Sequence, residues 1–151
     1  MDIVENAKQH LPAFIRLNEA WIAEHFEIEE ADRQLAENPY KIIESGGYIF
    51  SLVSANEVLG VCALFNDGDG VYELARMAVS PGVQGKGYGS QLINHALLKL
   101  RSINARKVYL ISNTKLSAAI GLYTKHGFYT VSEGPHPAYA RANIVMQRTD
   151  F

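Results

Sequence analysis

The sequence predicts a mixed α/β fold in which helices cover both faces of a single sheet. Two segments with apolar residues at helical spacing come first, and short apolar runs typical of strands follow them. The second half of the chain then alternates strand, helix, strand, helix and strand. A chain of 151 residues is long enough to bury a sizeable core, so we expect one domain over residues 1–151.

The beginning of the chain is predicted to be mainly helical. Ile3-Val4 forms a short first strand, and apolar positions then recur at helical spacing from Leu11 to Phe26. A second helix, rich in acidic residues, is expected from Glu27 to Glu37, and Asn38-Pro39 ends it. The acidic run Glu27–Asp32 is predicted to be a solvated face, and attraction of a cationic amine is the alternative.

Three strands are predicted in the middle of the chain. Tyr48–Ser54 and Glu57–Phe65 flank Ala55-Asn56, which suits a hairpin turn. The next segment, Asn66–Gly70, is dense in turn residues, but it holds too few carboxylates for a calcium-binding loop. Val71–Val79 is the third strand, and it leads into a glycine-rich segment.

The second half begins with a helix that follows the glycine-rich segment and ends near Arg101. Gly127 ends a later helix, because glycine accepts the left-handed conformation that is common just after a helix. The remaining predicted elements are a strand at Lys107–Ser112, a helix within Asn113–His126, a strand at Phe128–Val131 and a last strand at Arg141–Arg148.

Composition argues against several classes of ligand. The formal net charge of −2 gives no broad basic surface, so no nucleic-acid partner is expected. The single cysteine, Cys62, has no partner for an internal disulfide, and the first residues do not resemble a secretion signal, so we expect a cytoplasmic protein. No apolar stretch approaches the roughly 18 residues of a membrane span, and no histidine has a partner at metal-ligand spacing.

Residues 80–90 hold the motif on which the functional prediction depends. A strand, a glycine-rich turn and a helix N-terminus form an anion site, because free backbone N–H groups and the helix dipole both favour negative charge. Gly85, Gly87 and Gly89 let the backbone approach a phosphate without Cβ clashes, and Lys86 adds a cation. Neither the Walker spacing nor the dinucleotide-binding fingerprint fits these glycines.

The pattern Gln84-x-x-Gly87-x-Gly89 resembles the acetyl-coenzyme A loop of the GNAT superfamily of N-acetyltransferases. The resemblance spans Leu52 to Arg148 and implies the GNAT acyl-CoA N-acyltransferase fold, with a mostly antiparallel central sheet between helices. A second block matches another signature of that family, namely Asn113, Ala118-Ala119-Ile120, Leu122-Tyr123 and Gly127-Phe128.

This resemblance implies an acetyl-CoA-dependent N-acetyltransferase that moves an acetyl group to a primary amine of a small molecule or peptide. The strand backbone at Met77, Ala78 and Val79 would hold the pantetheine arm, which Asn113 and Ala119 would flank. Lys125 would reach the 3′-phosphate of the nucleotide, and an ordinary solvated lysine is the alternative. The diphosphate would be held by the residues of the loop, Gln84, Gly85, Lys86, Gly87, Tyr88, Gly89 and Ser90.

Two side chains are expected to take part in the chemistry that the resemblance implies. Tyr123 would protonate the departing sulfur, because a phenol is a proton donor at neutral pH. Glu73 would accept the proton of the amine through a water molecule, because a carboxylate of ordinary pKa is a weak base. No metal is expected in this reaction.

Each assignment has a purely structural alternative. Tyr123 could be an ordinary core aromatic residue. Glu73 could be a solvated strand residue or an ion-pair partner of Arg76. Asn113 could cap the helix that follows it.

The function as a whole also has an alternative, a non-catalytic acyl-CoA-binding sensor with the same loop. Trp21 and Phe26 are expected in the core rather than around a substrate. Members of the resembled family often form dimers through late strands, so Arg141–Arg148 is expected to pair across a twofold axis in a homodimer.

Overall fold

Seven strands form one sheet in the computed structural model, which describes residues 1–151. In chain order the strands are β1 (Asp2–Glu5), β2 (Tyr48–Ser54), β3 (Glu57–Gly68), β4 (Val71–Val79), β5 (Lys107–Ser112), β6 (Tyr129–Glu133) and β7 (Ile144–Arg148). The helices are α1 (Leu11–His25), α2 (Glu30–Glu37), α3 (Lys41–Glu44), α4 (Tyr88–Ser102) and α5 (Ser117–Lys125).

The order of the strands in the sheet is β1-β2-β3-β4-β5-β7-β6. β4 and β5 are parallel neighbours, and α4 lies between them in the chain, whereas every other neighbouring pair is antiparallel. The structure therefore confirms the predicted fold class, a mixed α/β fold with a mostly antiparallel central sheet.

Two hydrophobic cores, one on each face, hold the helices against the sheet. The α4 core combines apolar residues of α4 with Phe50, Leu64, Leu110 and Met146 of the strands, and residues of α5 pack against it. The α1 core combines apolar residues of α1 and α3 with Ile49, Val61, Ala63 and Ala78. Among the five helices, none has the length and apolar character needed to cross a bilayer.

β4 and β5 have the predicted bounds, but β3 is longer than predicted. It continues to Gly68, which pairs with Val71, so that the hairpin turn consists of Asp69 and Gly70 alone. These two residues have φ values of 56° and 76°, and positive φ at both central positions is what a type I′ turn requires. The turn residues before Asp69 are therefore part of the strand.

α2 and β7 begin later than predicted. The carboxylate of Glu29 and the side chain of Asp32 form a reciprocal capping box, which starts α2 at Glu30. Before β7, the N–H of Ala142 donates to the carbonyl of Tyr139 at 3.2 Å, so this segment turns before the strand begins.

β7 lies inside the sheet, between β5 and β6, and is hydrogen-bonded to both. The backbone N–H and C=O groups on both edges of β7 therefore form hydrogen bonds within the chain. Neither edge of β7 is free for the predicted strand pairing across a twofold axis, and the strands at the two sheet edges are β1 and β6; the homodimer itself stays a prediction.

Candidate active site

β4 and β5 separate partway along their length. Their pairing covers only Val71–Glu73 of β4 and Lys107–Tyr109 of β5. β4 continues beside β3 to Val79, while β5 continues beside β7 to Ser112. The sheet therefore opens between the two strands, and the β4 edge beyond Glu73 has no strand partner on this side.

A β-bulge in β4 redirects the side chains along this opening. Leu74 lies in the α4 core and Ala78 in the α1 core, although residues an even number of positions apart share a face in a regular strand. The register with β3 shifts between them, and Arg76 has a φ of 59°. This left-handed conformation costs a non-glycine residue about 1–2 kcal/mol. The bulge turns Arg76 toward Asp32 of α2.

A cavity of about 110 Å³ lies at the opening and is lined from both faces of the sheet. The α4 face contributes Met77, Leu110, Ala119 and Tyr123. The α1 face contributes Asn18, Trp21, Ile22 and Phe26, together with Glu73 of β4. Trp21 and Phe26, predicted as core residues, therefore line the cavity, and only Trp21 also packs against the α1 core.

Glu73 lies at the point where the strands separate. Burial and the nearby negative charge of Asp67 raise the pKa of Glu73 to about 7. Arg76 and Tyr109 act in the opposite direction to a smaller extent. Arg76 does not form an ion pair with Glu73, because its Nη1 donates to Asp32 Oδ1 at 2.5 Å. The Glu73 carboxylate therefore gains and loses a proton near neutral pH.

Tyr123 reaches the cavity from α5. Burial raises the pKa of Tyr123 to about 12, so the phenol stays protonated at neutral pH. Its ring packs edge-on against Phe128, with ring centroids 6.2 Å apart. The hydroxyl has no hydrogen-bond partner in the protein, yet no fully buried side-chain N or O atom of the chain lacks a partner, so this oxygen is not sealed from open space.

The glycine-rich loop lies between the carboxyl end of β4 and the N-terminus of α4. Gly85 and Gly87 have φ values of 82° and 81°, and a Cβ at either position would meet no atom within 4 Å. No side chain caps α4, and no acidic residue lies in its first turn. The N–H groups of Tyr88, Gly89 and Ser90 therefore have no partner within the helix. The loop combines open space with free donors, as an anion site requires.

Two side-chain contacts fix the loop in place. Gln84 Nε2 donates to the carbonyl of the last β4 residue at 3.2 Å. Ser90 Oγ lies 2.8 Å from His126 Nε2, which links α4 to the end of α5. Burial and the charges of two nearby cations lower the pKa of His126. Lys86 and Lys125 are both exposed.

The residues predicted along the pantetheine arm take different positions. Met77 and Ala119 line the cavity from the α4 face. Ala78 is buried in the α1 core, so that only its backbone is available at the opening. Val79 ends β4, and its carbonyl accepts the hydrogen bond from the loop glutamine.

Asn113 lines the cavity just beyond the end of β5. It does not cap α5, because that helix begins at Ser117. Its Nδ2 donates to the carbonyl of Arg141 at 2.8 Å, and its Oδ1 accepts from the N–H of Lys115 at 2.9 Å. Asn113 therefore joins the end of β5 to the segment before β7.

A buried charge cluster lies on the α2 side of the cavity, and no sequence pattern predicts it. The side chains of Asp32, Arg76 and Arg141 are 1%, 8% and 15% exposed. Arg141 donates from Nη1 to Asp32 Oδ2 at 2.7 Å and from Nη2 to Asp32 Oδ1 at 2.8 Å. Arg76 donates to Asp32 Oδ1 and to the hydroxyl of Tyr139. Glu29 accepts from Arg141 at 3.3 Å on the outer side.

This cluster corrects the prediction for one residue of the acidic run, whereas Glu27 and Glu30 are exposed as predicted. Asp32 is neither a solvated residue nor free to attract a cationic amine, because it binds two arginines. Burial acts to raise the pKa of Asp32, but hydrogen bonds from Arg141, the Glu29 N–H and Arg76 outweigh it and lower the pKa to about 2. Asp32 therefore remains charged over the physiological pH range.

A family model and two curated relatives match the sequence of this chain. A family model described as the acetyltransferase (GNAT) family matches residues 14–128. Two curated relatives, amino-acid acetyltransferases of Neisseria meningitidis serogroups A and B, are 29% identical over 133 residues, which is 87% of this chain and 27% of each relative. The chain thus spans about a quarter of the length of the curated relatives it matches.

Solved structures share the fold at lower identity. An acetyltransferase of the GNAT family from Staphylococcus aureus Mu50 has a TM-score of 0.86 and 19% identity over 98% of both chains. The ribosomal-protein-S18-alanine N-acetyltransferase from Escherichia coli has a TM-score of 0.77 and 20% identity, covering 98% of this chain and 92% of its own. An aminoglycoside 6′-N-acetyltransferase complexed with coenzyme A has a TM-score of 0.76 and 15% identity, covering 99% and 97%.

Proposed function

Because this chain belongs to the acetyltransferase (GNAT) family, we propose that it transfers the acetyl group of acetyl-CoA to a primary amine of a small molecule or peptide. In this proposal residues 1–151 form one catalytic unit. The observation that carries it is the cavity between β4 and β5, which Glu73 lines from the α1 face and Tyr123 from the α4 face. The names of the curated relatives, amino-acid acetyltransferases, support an amine as the acceptor.

Acetyl transfer to an amine requires two proton movements. The amine nitrogen attacks the thioester carbonyl carbon, a C–N bond forms and the C–S bond breaks. In the proposed reaction Glu73 accepts the proton that the nitrogen loses, and Tyr123 gives its proton to the departing sulfur. Exchange with solvent then restores both side chains.

The pKa values of the two groups suit these roles. A pKa of about 7 makes Glu73 a stronger base than an ordinary carboxylate, and a large fraction of it is ionised at neutral pH. The water relay expected for a weak carboxylate is therefore not required. Tyr123, with a pKa of about 12, stays protonated until the sulfur develops negative charge.

The remaining parts of the opening support binding of the acyl donor. The free β4 edge beyond Glu73 offers backbone donors and acceptors to the amide groups of a pantetheine arm. The first turn of α4 offers N–H groups to a diphosphate, with open space at Gly85 and Gly87 for its oxygens. Held in this way, the thioester would reach the cavity between the two proposed catalytic side chains.

Release of the CoA thiol over a panel of primary amines tests the proposal. The enzyme is expected to release thiol from acetyl-CoA only when an acceptor amine is present. A non-catalytic acyl-CoA-binding sensor would instead bind acetyl-CoA in a calorimeter and release no thiol with any amine. Failure to bind acetyl-CoA would exclude both the acetyltransferase and the acyl-CoA-binding sensor.

The binding step has a matched pair of variants at Gly85. Asp and Asn both tolerate a positive φ, and a Cβ at Gly85 meets no atom within 4 Å, so both variants should fold. Gly85→Asp places a negative charge beside the proposed diphosphate, and we expect it to raise the acetyl-CoA Kd at least about tenfold more than Gly85→Asn does. Equal Kd values for the two variants would argue against a diphosphate at this loop.

Replacing Tyr123 with phenylalanine tests the proposed acid. The change removes only the hydroxyl, which makes no hydrogen bond in the protein, so we expect little loss of stability. We expect kcat to fall about 10–100-fold, because a departing thiolate needs modest help from a general acid. The KM for acetyl-CoA should stay nearly constant. An unchanged kcat would show that Tyr123 lines the cavity but does not act as the general acid.

A further inference from the structure

We propose that the acceptor is a small amine that also carries a carboxylate, and that Arg76 and Arg141 bind this carboxylate on the α2 side of the cavity. The inference rests on the proposed acetyl transfer and narrows its acceptor from primary amines in general to amines of the amino-acid type. It is carried by the charges that line the cavity, by the uncommitted donors of the two arginines and by the direction in which the bulge turns Arg76.

The charged side chains that line the cavity are two cations and one acid, Arg76, Arg141 and Glu73. Asp32, which pairs with both arginines, is 1% exposed and does not line the cavity. Glu29 also lies outside the cavity wall and is 26% exposed. With Glu29 counted, the cluster is neutral, but both of its acids lie outside the cavity wall, so the part of the cluster that lines the cavity consists of the two guanidinium groups. A guanidinium at such a wall is stabilised by an anion beside it.

The two arginines keep hydrogen-bond donors for such an anion. Their hydrogen bonds to Asp32, Glu29 and Tyr139 all use the terminal nitrogens. Nε of Arg76 and Nε of Arg141 have no partner in the protein, yet neither atom is sealed from open space, because no fully buried side-chain N or O atom of the chain lacks a partner. Arg76 lines this cavity and a second one beside α2 and α3, and Arg141 lines this cavity. Guanidinium N–H groups form short, charge-assisted bonds with carboxylates.

The bulge places this anion site on the same side as the proposed base. Arg76 follows Glu73 by three positions, so a regular strand would direct the two side chains to opposite faces. The left-handed conformation of Arg76 turns it to the α2 side instead, where it meets Asp32. An amine nitrogen beside Glu73 and a carboxylate beside Arg76 can therefore belong to one small molecule.

Asn18 offers a contact for the amine end of the same molecule. Its Nδ2 donates to the Phe14 carbonyl at 2.9 Å, while its Oδ1 has no partner in the protein and is not sealed from open space. Because Asn18 lines the cavity, this oxygen can accept a hydrogen bond from the acceptor nitrogen. Glu73 is the only carboxylate in the cavity wall, so no acid is left to bind a second ammonium group.

Matched acceptors test the inference directly. Thiol release from acetyl-CoA is measured with the L-α-amino acids, β-alanine and 4-aminobutyrate, with the corresponding amides, and with putrescine and spermidine. Rates are expressed per concentration of unprotonated amine. We expect kcat/KM for the best carboxylate acceptor to exceed that of its amide by at least about tenfold, the effect of hydrogen bonds to a charged group.

Three conservative variants locate the preference within the cavity. Arg76→Lys and Arg141→Lys keep the positive charge but lose the Nε donor, so each should reduce the preference for carboxylate over amide about tenfold. Arg33→Lys is the control, because Arg33 is 58% exposed and its contacts, an ion pair with Glu30 and a hydrogen bond to the Ile28 carbonyl, lie on the surface. The acid-to-amide ratio is the readout, since general damage to the site would lower both rates together.

The outcomes separate the inference from the proposed function. Thiol release that is as fast with amides or diamines as with carboxylates would overturn the inference and leave acetyl transfer standing. A preference for carboxylates that survives both Arg→Lys substitutions would also overturn it. Absence of thiol release with every amine would overturn the proposed function, and the inference would fall with it.

Discussion

Replacing Asp32 with asparagine is expected to lower the free energy of unfolding by about 3–5 kcal/mol, the usual effect of removing one partner from a buried ion pair. Asp32 Oδ1 accepts from Arg76 and Arg141, and Oδ2 accepts from Arg141 and the N–H of Glu29. An asparagine NH₂ group would therefore face two donors in either orientation. Urea denaturation of both proteins measures the difference.

A surface aspartate provides the control for this measurement. The Asp150 side chain is 90% exposed and lies 3.5 Å from Arg148, so Asp150→Asn should change the free energy of unfolding by less than about 0.5 kcal/mol. A loss below about 1 kcal/mol for Asp32→Asn would show that the two arginines do not depend on this carboxylate.

The same carboxylate makes the stability of the protein depend on pH in acid. The pKa of Asp32 is lowered from 3.8 to about 2 in the folded protein, so its contribution is fully present above the unfolded value and is lost as pH falls through about 2. The wild type should therefore lose stability relative to Asp32→Asn between about pH 4 and pH 2. A constant difference over this range would contradict the lowered pKa.

The fold and the conformation of the glycine-rich loop could be predicted from local sequence patterns. β4 and β5 are rich in apolar and aromatic residues and are flanked by glycine or polar residues, and their predicted bounds agree with the structure. The glycines at positions 85 and 87 adopt the positive φ that their pattern suggests. In each case residues close together in the sequence determine the backbone conformation, so a single sequence is enough to predict it.

The α2 side of the cavity could not be predicted in this way, because it depends on contacts between residues that are distant in the sequence. Asp32 lies in an acidic run that looks solvated, but its partners Arg76 and Arg141 are 44 and 109 residues away. No glycine marks the bulge at Arg76. The place of β7 between β5 and β6 likewise follows from packing and not from chain order. Only the burial of Asp32 beside both arginines makes this acidic helix part of the proposed anion site.

Replacing Glu73 with glutamine is expected to lower kcat/KM at pH 7 by about 100-fold, within the range for loss of a general base. The wild-type rate should rise with pH through an inflection near the Glu73 pKa of about 7. In Glu73→Gln this inflection should disappear. The rate should then rise only as the amine itself loses its proton, near pH 10.4 for a lysine-like amine, and approach the wild-type rate there. A pH profile that the substitution leaves unaltered would exclude Glu73 as the base.

Stability provides a second and opposite readout for Glu73, since burial raises its folded pKa from 4.5 to about 7. A carboxyl group with a raised pKa contributes its full stability below the unfolded value and loses it as pH rises through the folded value. Glu73→Gln should therefore be more stable than the wild type above pH 7, by up to about 3 kcal/mol, while it is less active. Glu57→Gln, at an exposed position at the start of β3, should change neither property. If Glu73→Gln lost both activity and stability, Glu73 would have a structural role. A base that is costly to ionise in the folded protein predicts the opposite pairing, in which the variant reacts more slowly but is more stable.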